Sequence, residues 1–117
     1  MTILQLLESL HDSDIIDTLE VSESDEPPTC IVNLVLQNGL AVLVMLVSKD
    51  SSFATIVLQN YTIDDAARED LESVLVPLSR GEFVQERTSS RGTALHVAGL
   101  RIDSWVRSKG FDLSGPL

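Results

Sequence analysis

Apolar and polar residues alternate unevenly along the chain, and where the alternation fails it is informative. Two apolar stretches, Cys30 to Gln37 and Leu40 to Val47, flank Asn38-Gly39, the sequence most often found in a tight two-residue hairpin turn. A two-residue turn pairs Gln37 with Leu40, Val35 with Val42, Asn33 with Val44 and Ile31 with Leu46. In that register one face carries Cys30, Val32, Leu34 and Leu36 with Ala41, Leu43, Met45 and Val47, without a polar side chain. The other carries Ile31, Val35, Leu40, Val42, Val44 and Leu46, broken only by Asn33 and Gln37. The second strand is then apolar on both sides, which is the pattern of a strand covered twice.

Upstream, Thr2 precedes Ile3, Leu4, Leu6, Leu7 and Leu10, a spacing that predicts a short amphipathic helix ending near His11 or Asp12. Ile15, Ile16, Leu19 and Val21 extend that helix or start a strand, and their acidic context decides neither. Residues 22–28, polar and closed by two prolines, read as a solvated loop.

Downstream of the hairpin, Ser48 to Ser52 returns the chain into a third strand, Phe53 to Tyr61. Thr62 with Asp65 resembles a capping box, and Ile63, Ala67, Leu71, Val74, Leu75 and Leu78 recur at helical spacing, so a second helix is expected there. Pro77 should stop it near Leu75 or Val76, and Gly81 suits its exit. Glu82 to Thr88 and Thr93 to Leu100 predict a second hairpin, Ile102 to Lys109 a short last helix, and residues 113–117 a frayed tail.

The expected fold is α+β: one domain over residues 1–117, with an antiparallel sheet and the order helix, three strands, helix, two strands, short helix. That order is similar to the layout of small acidic type III secretion chaperones, although the last helix is shorter here. The resemblance implies a dimer that binds unfolded N-terminal segments of other proteins.

Charge adds direction. The formal net charge is −10, and residues 1–26 hold −8 of it with no Lys or Arg, whereas residues 80–117 sum to +2. A negative field repels phosphate backbones, so no direct nucleic-acid contact is expected. Asp14, Asp17, Glu20, Glu23, Asp25 and Glu26 form the candidate partner-binding surface, suited to a basic protein. The longest apolar run is far too short for a bilayer, and the N-terminus has no basic segment or cleavage-type site, so no membrane and a cytoplasmic location are expected.

The residues that carry chemistry are sparse. Cys30 is the sole cysteine and stands in an apolar stretch, as a buried small hydrophobe does. His11 and His96 have no ligand-spaced companions, no Gly-x-Ser-x-Gly elbow is present, and Asp64-Asp65 read as helix capping. Ser89 to Thr93 reads as a hairpin turn before an anion cradle, and Trp105 as the anchor of the last helix.

The expectation is therefore a non-enzyme without metal or cofactor: a protein-binding module of chaperone, immunity or inhibitor type. The alternative is an antagonist that presents carboxylates in place of phosphates to a nucleic-acid-binding protein. A homodimer is expected through the face made by Ile31, Val35, Leu40, Val42, Val44 and Leu46. The rival cover for that face is the first helix, through Leu4, Leu7 and Leu10.

Overall fold

Thr2 sets the start of the chain's structure. Its hydroxyl accepts from the Gln5 N–H at 3.1 Å while the Gln5 side-chain carbonyl accepts from the Thr2 N–H at 2.8 Å, a complete capping box. Helix α1 runs Ile3–Asp12 and buries Ile3, Leu6, Leu7 and Leu10. The computed structural model describes residues 1–25, 28–59, 61–88 and 92–104. After α1 come five strands, β1 (Ile16–Asp25), β2 (Pro28–Leu36), β3 (Ala41–Leu46), β4 (Phe53–Leu58) and β5 (Tyr61–Ala67). Helix α2 (Arg68–Ser79) and three further strands, β6 (Phe83–Arg87), β7 (Thr93–Val97) and β8 (Leu100–Asp103), complete the described residues.

The α+β class and antiparallel sheets agree with the sequence, but the element order does not: helix, five strands, helix, three strands. Ile16 to Asp25 is strand, and the segment read as a loop over 22–28 is mostly ladder, with Ser22 paired to Ile31, Glu23 to Cys30 and Asp25 to Pro28. Tyr61 does not end β4. The chain reverses after Leu58, which pairs with Tyr61, and the stretch from Thr62 read as helix is β5. An extra residue at Asp64-Asp65, with Asp65 at φ 54°, breaks the period of two there and gives the apolar residues a helix-like spacing.

The true start of α2 is Ala67, whose N–H donates to Asp70 Oδ2 at 3.0 Å. Pro77 does not stop the helix. It falls in the last turn, and Glu82 N–H reaches back to the Pro77 carbonyl at 2.9 Å while Gly81 exits at φ 73°. Ile102, expected in a helix, lies in β8, which follows a turn whose Ala98 and Gly99 both have positive φ, 53° and 77°. The remainder of that expected helix, Trp105 and the tail lie outside the described residues.

The first hairpin holds the most consequential difference. Its loop is Gln37-Asn38-Gly39, closed by Leu36 N–H to the Leu40 carbonyl (2.8 Å) and Gly39 N–H to the Leu36 carbonyl (2.9 Å). The observed pairs are Val35 with Ala41, Leu34 with Val42, Asn33 with Leu43, Val32 with Val44, Ile31 with Met45 and Cys30 with Leu46, one residue away from the two-residue register. Such a slip exchanges the faces of a whole strand. Leu40, Val42, Val44 and Leu46 therefore join Cys30, Val32, Leu34 and Leu36, and all eight are buried. Both strands alternate, and β3 is not apolar on both sides in the way the other register required.

The physical reason is that Gly39 in the left-handed region closes a three-residue loop as readily as a two-residue one, and this register buries the larger side chains of β3 together. Gly39 has φ +89° and open space where a side chain would begin, so Gly39→Val is expected to cost about 1–3 kcal/mol from backbone strain alone. A denaturant titration reads it as a lowered midpoint.

The described residues share one core. Helix α1, helix α2 and the second sheet all pack on the same face of the five-stranded sheet, with Leu71, Val74, Leu75, Leu78, Leu95 and Val97 in contact with its buried residues. Tyr61 links the two sheets: its hydroxyl lies 2.6 Å from Thr93 Oγ1 and accepts from Gln85 Nε2 at 2.8 Å.

Candidate functional site

Because every covering element lies on one side, the opposite face of the five-stranded sheet is open among the described residues. Cross-strand register defines it row by row. One row runs Ser22, Ile31, Met45, Thr55, the next Glu20, Asn33, Leu43, Val57, Thr62, and a third Thr18, Val35, Ala41. Phe53 extends it on β4. Ile31, Val35, Leu43 and Val57 are half-buried by their own neighbours, whereas Met45 is 40% and Phe53 59% exposed. The charged side chains here, Glu20 and Asp64, sit on the two edge strands, β1 and β5; Asp64 Oδ1 accepts from Thr55 Oγ1 at 3.4 Å. The centre of the face is uncharged and mainly aliphatic.

The expected apolar face is thus split. Ile31 and Val35 are on the open side, while Leu40, Val42, Val44 and Leu46 are core and unavailable to a partner. Leu43 and Met45, which the two-residue register put on the face of Cys30 and Val32, complete the open face together with Phe53 and Val57. A three-residue loop count at Asn38-Gly39 would have found Leu43 and Met45. The rival cover is met in part: α1 lies on the buried side, where Leu7 and Leu10 share the core with Leu40, Val42, Val44 and Leu46, and it leaves Ile31 and Val35 open.

The acidic candidates do not gather into one cluster. Asp14 sits in the turn after α1 at φ 63°, and Asp17 is the extra residue of a bulge in β1, its carbonyl taken by His11 Nε2 at 3.2 Å. Glu20 points to the open face. Glu23 lies on the other side of β1, paired in register with Cys30 and bridged to Lys49 Nζ at 2.9 Å. Asp25 ends the strand, and Glu26 lies outside the described residues. The hydrogen bond from Lys49 to the Glu23 carboxylate raises the lysine pKa. Both partners are more than half or half exposed, so the bridge orients β1 against the β3–β4 loop with little effect on stability.

No family model, curated protein or solved structure matches this chain.

Elsewhere the reactive side chains are satisfied locally. Burial and the nearby Glu23 carboxylate push the Cys30 thiol pKa up, so the thiolate is disfavoured. His96 Nε2 meets Glu86 Oε2 at 2.8 Å on the exposed side of the β6–β7 hairpin. Asp64 and Asp65, expected to cap a helix, belong to the β5 bulge. Among the described residues no three His, Cys, Asp or Glu side chains are placed to hold a metal ion, and no helix is long and apolar enough to cross a membrane.

Proposed function

We propose that this protein is a non-enzymatic protein-binding module, of chaperone, immunity or inhibitor type, and that its open sheet face holds a second copy of the chain. The observation that carries the proposal is the uncharged aliphatic centre formed by Ile31, Val35, Leu43, Met45 and Val57. Five strands at about 4.8 Å spacing and about eight residues at about 3.3 Å each give roughly 500 Å² of face, so two copies enclose about 1,000 Å² together, the lower bound for a specific contact. A two-fold arrangement uses the same patch on both copies and keeps Glu20 and Asp64 at its rim.

Sedimentation equilibrium at ~10 µM protein tests the proposal, since association follows mass action. The parent is expected as a dimer and Leu43→Asp as a folded monomer. A monomeric parent overturns the assignment. The dimer should also persist as salt is raised, because screening acts on charge pairs and not on aliphatic contacts.

Mimicry of a polyanion is less favoured by the arrangement of the acids. Glu20 faces one side of β1, Glu23 and Asp25 the other, and Glu23 is neutralised by Lys49, so no single row of carboxylates is presented.

A further inference from the structure

The five-stranded sheet ends at β1, and the outer side of β1 has no strand beside it among the described residues. Which of its main-chain groups are free follows from the ladder. Leu36 N–H bonds to the Leu40 carbonyl, which turns the even-numbered residues of β2 toward β3, and Gln37 N–H bonds to the Ile15 carbonyl at 3.2 Å on the β1 side. Val35, Asn33 and Ile31 therefore exchange bonds with their register partners Thr18, Glu20 and Ser22. Leu19, Val21 and Glu23 turn their N–H and C=O groups outward.

The side chains along this edge differ by side. Leu19 and Val21 lie on the core side, in register with Leu34 and Val32, and Val21 is 40% exposed because the core ends beside it. Thr18, Glu20 and Ser22 lie on the open side. A strand added here would cover Val21 with one set of its side chains and set the alternate ones beside Glu20, with Asp17 and Asp25 toward the two ends. A second copy does not suit the edge. Antiparallel self-pairing about Val21 opposes Asp17 to Asp25 and Leu19 to Glu23, and like charges placed opposite one another destabilise a ladder.

We infer that β1 is a strand-addition site for an extended segment of another protein in which apolar and basic side chains alternate. Main-chain bonds to Leu19, Val21 and Glu23 supply the affinity, Val21 the apolar contact, and Glu20 the preference for positive charge. The inference rests on the protein-binding reading but not on the dimer, because the edge and the open face are different surfaces.

The probe is a fluorescein-labelled synthetic peptide of about nine residues alternating lysine and valine, long enough to span the free edge. Fluorescence anisotropy is expected to show saturable binding at sub-millimolar peptide. Val21→Pro removes an outward amide that the sheet does not use, a position where proline is tolerated on an edge strand. It should weaken binding at least about tenfold with the melting temperature near that of the parent. Should that variant fold poorly, Glu20→Lys, an exposed change, should lose affinity for the same peptide to a similar extent. Amide exchange on the parent complex should gain protection at Leu19, Val21 and Glu23.

Binding that survives in a folded Val21→Pro or in Glu20→Lys overturns the assignment. So does equal affinity for a lysine–serine peptide, which would mean charge attraction alone, or protection confined to Leu43 and Val57. Sedimentation of the same samples reads the dimer separately, so a monomeric parent that still binds the peptide at β1 defeats only the open-face proposal.

Discussion

Val44→Asp is expected to abolish the native fold, while Met45→Asp, one residue on, leaves it standing. Val44 is fully buried, in register with Val32 and Ile56, where no cation or water-exposed path can meet a carboxylate. An uncompensated charge in such a place costs about 3–5 kcal/mol, a large part of the about 5–15 kcal/mol that holds a domain of this size. Met45 is 40% exposed on the opposite face beside Ile31 and Thr55, and a carboxylate there leaves the core untouched and costs only the contact with a second copy. Thermal melting by circular dichroism should show no cooperative transition for the first variant and a cooperative one for the second, close to that of Leu43→Asp, which loses the same contact with a second copy. The reverse result would restore the two-residue register, in which Met45 is core and Val44 is not.

Leu95→Ala is the second large effect. Leu95 is 1% exposed and meets Ile56, Leu58, Tyr61, Val74 and Leu78 around a nearly filled apolar space beneath the smaller sheet. Removing three side-chain carbons there, Cγ and its two methyls, leaves a cavity that rigid neighbours on two sheets and a helix do not close, a loss of about 2–5 kcal/mol. The three-stranded sheet depends on this contact, because its other inward apolar residues are few: Val97 and the half-buried Phe83 and Ile102. Chemical denaturation should show the lowered midpoint. Hydrogen exchange should show β6–β8 losing protection before β2 and β3 do. A change under 1 kcal/mol would mean that the second sheet is held mainly by the Tyr61 hydroxyl network.

These effects follow from parts of the fold that were legible to different degrees in the sequence. Helix α1 was readable in full, because Thr2 and Gln5 form a local cap and Ile3, Leu6, Leu7 and Leu10 form a local stripe. The β6–β7 hairpin was readable for the same reason of locality. Register was not, since Asn38-Gly39 admits loops of two or three residues, and the choice is made by which side chains of β3 find the helices. Strand β5 was hidden by its bulge, which sets the core-facing Ile63 and Ala66 three apart as a helix would, and β8 by its brevity. Of the candidate apolar surface, Ile31 and Val35 stand on the open face of the sheet. Residues beyond it, Leu40 to Leu46, inherited the one-residue error. The acidic surface was visible as composition, but its division between the two sides of β1 depends on the pairing of Glu20 with Asn33 and Glu23 with Cys30.

Each strand of the larger sheet pairs with its neighbour in the chain, from β1 through β5, so the sheet is assembled entirely from short-range contacts. Such topologies close small loops and fold fast. During synthesis the first 67 residues leave the ribosome before the helix that roofs them, and the row from Cys30 to Leu46 stays wet until Leu71, Val74, Leu75 and Leu78 arrive. Asn38 Nδ2 donates to the Leu78 carbonyl at 2.7 Å across 40 positions of sequence, joining the tip of the first hairpin to the last turn of α2. That bond is a late latch: it forms only once α2 has landed in its final position, and a nascent chain halted before residue 78 carries the sheet with its sticky side covered by α1 alone, a ready substrate for general chaperones.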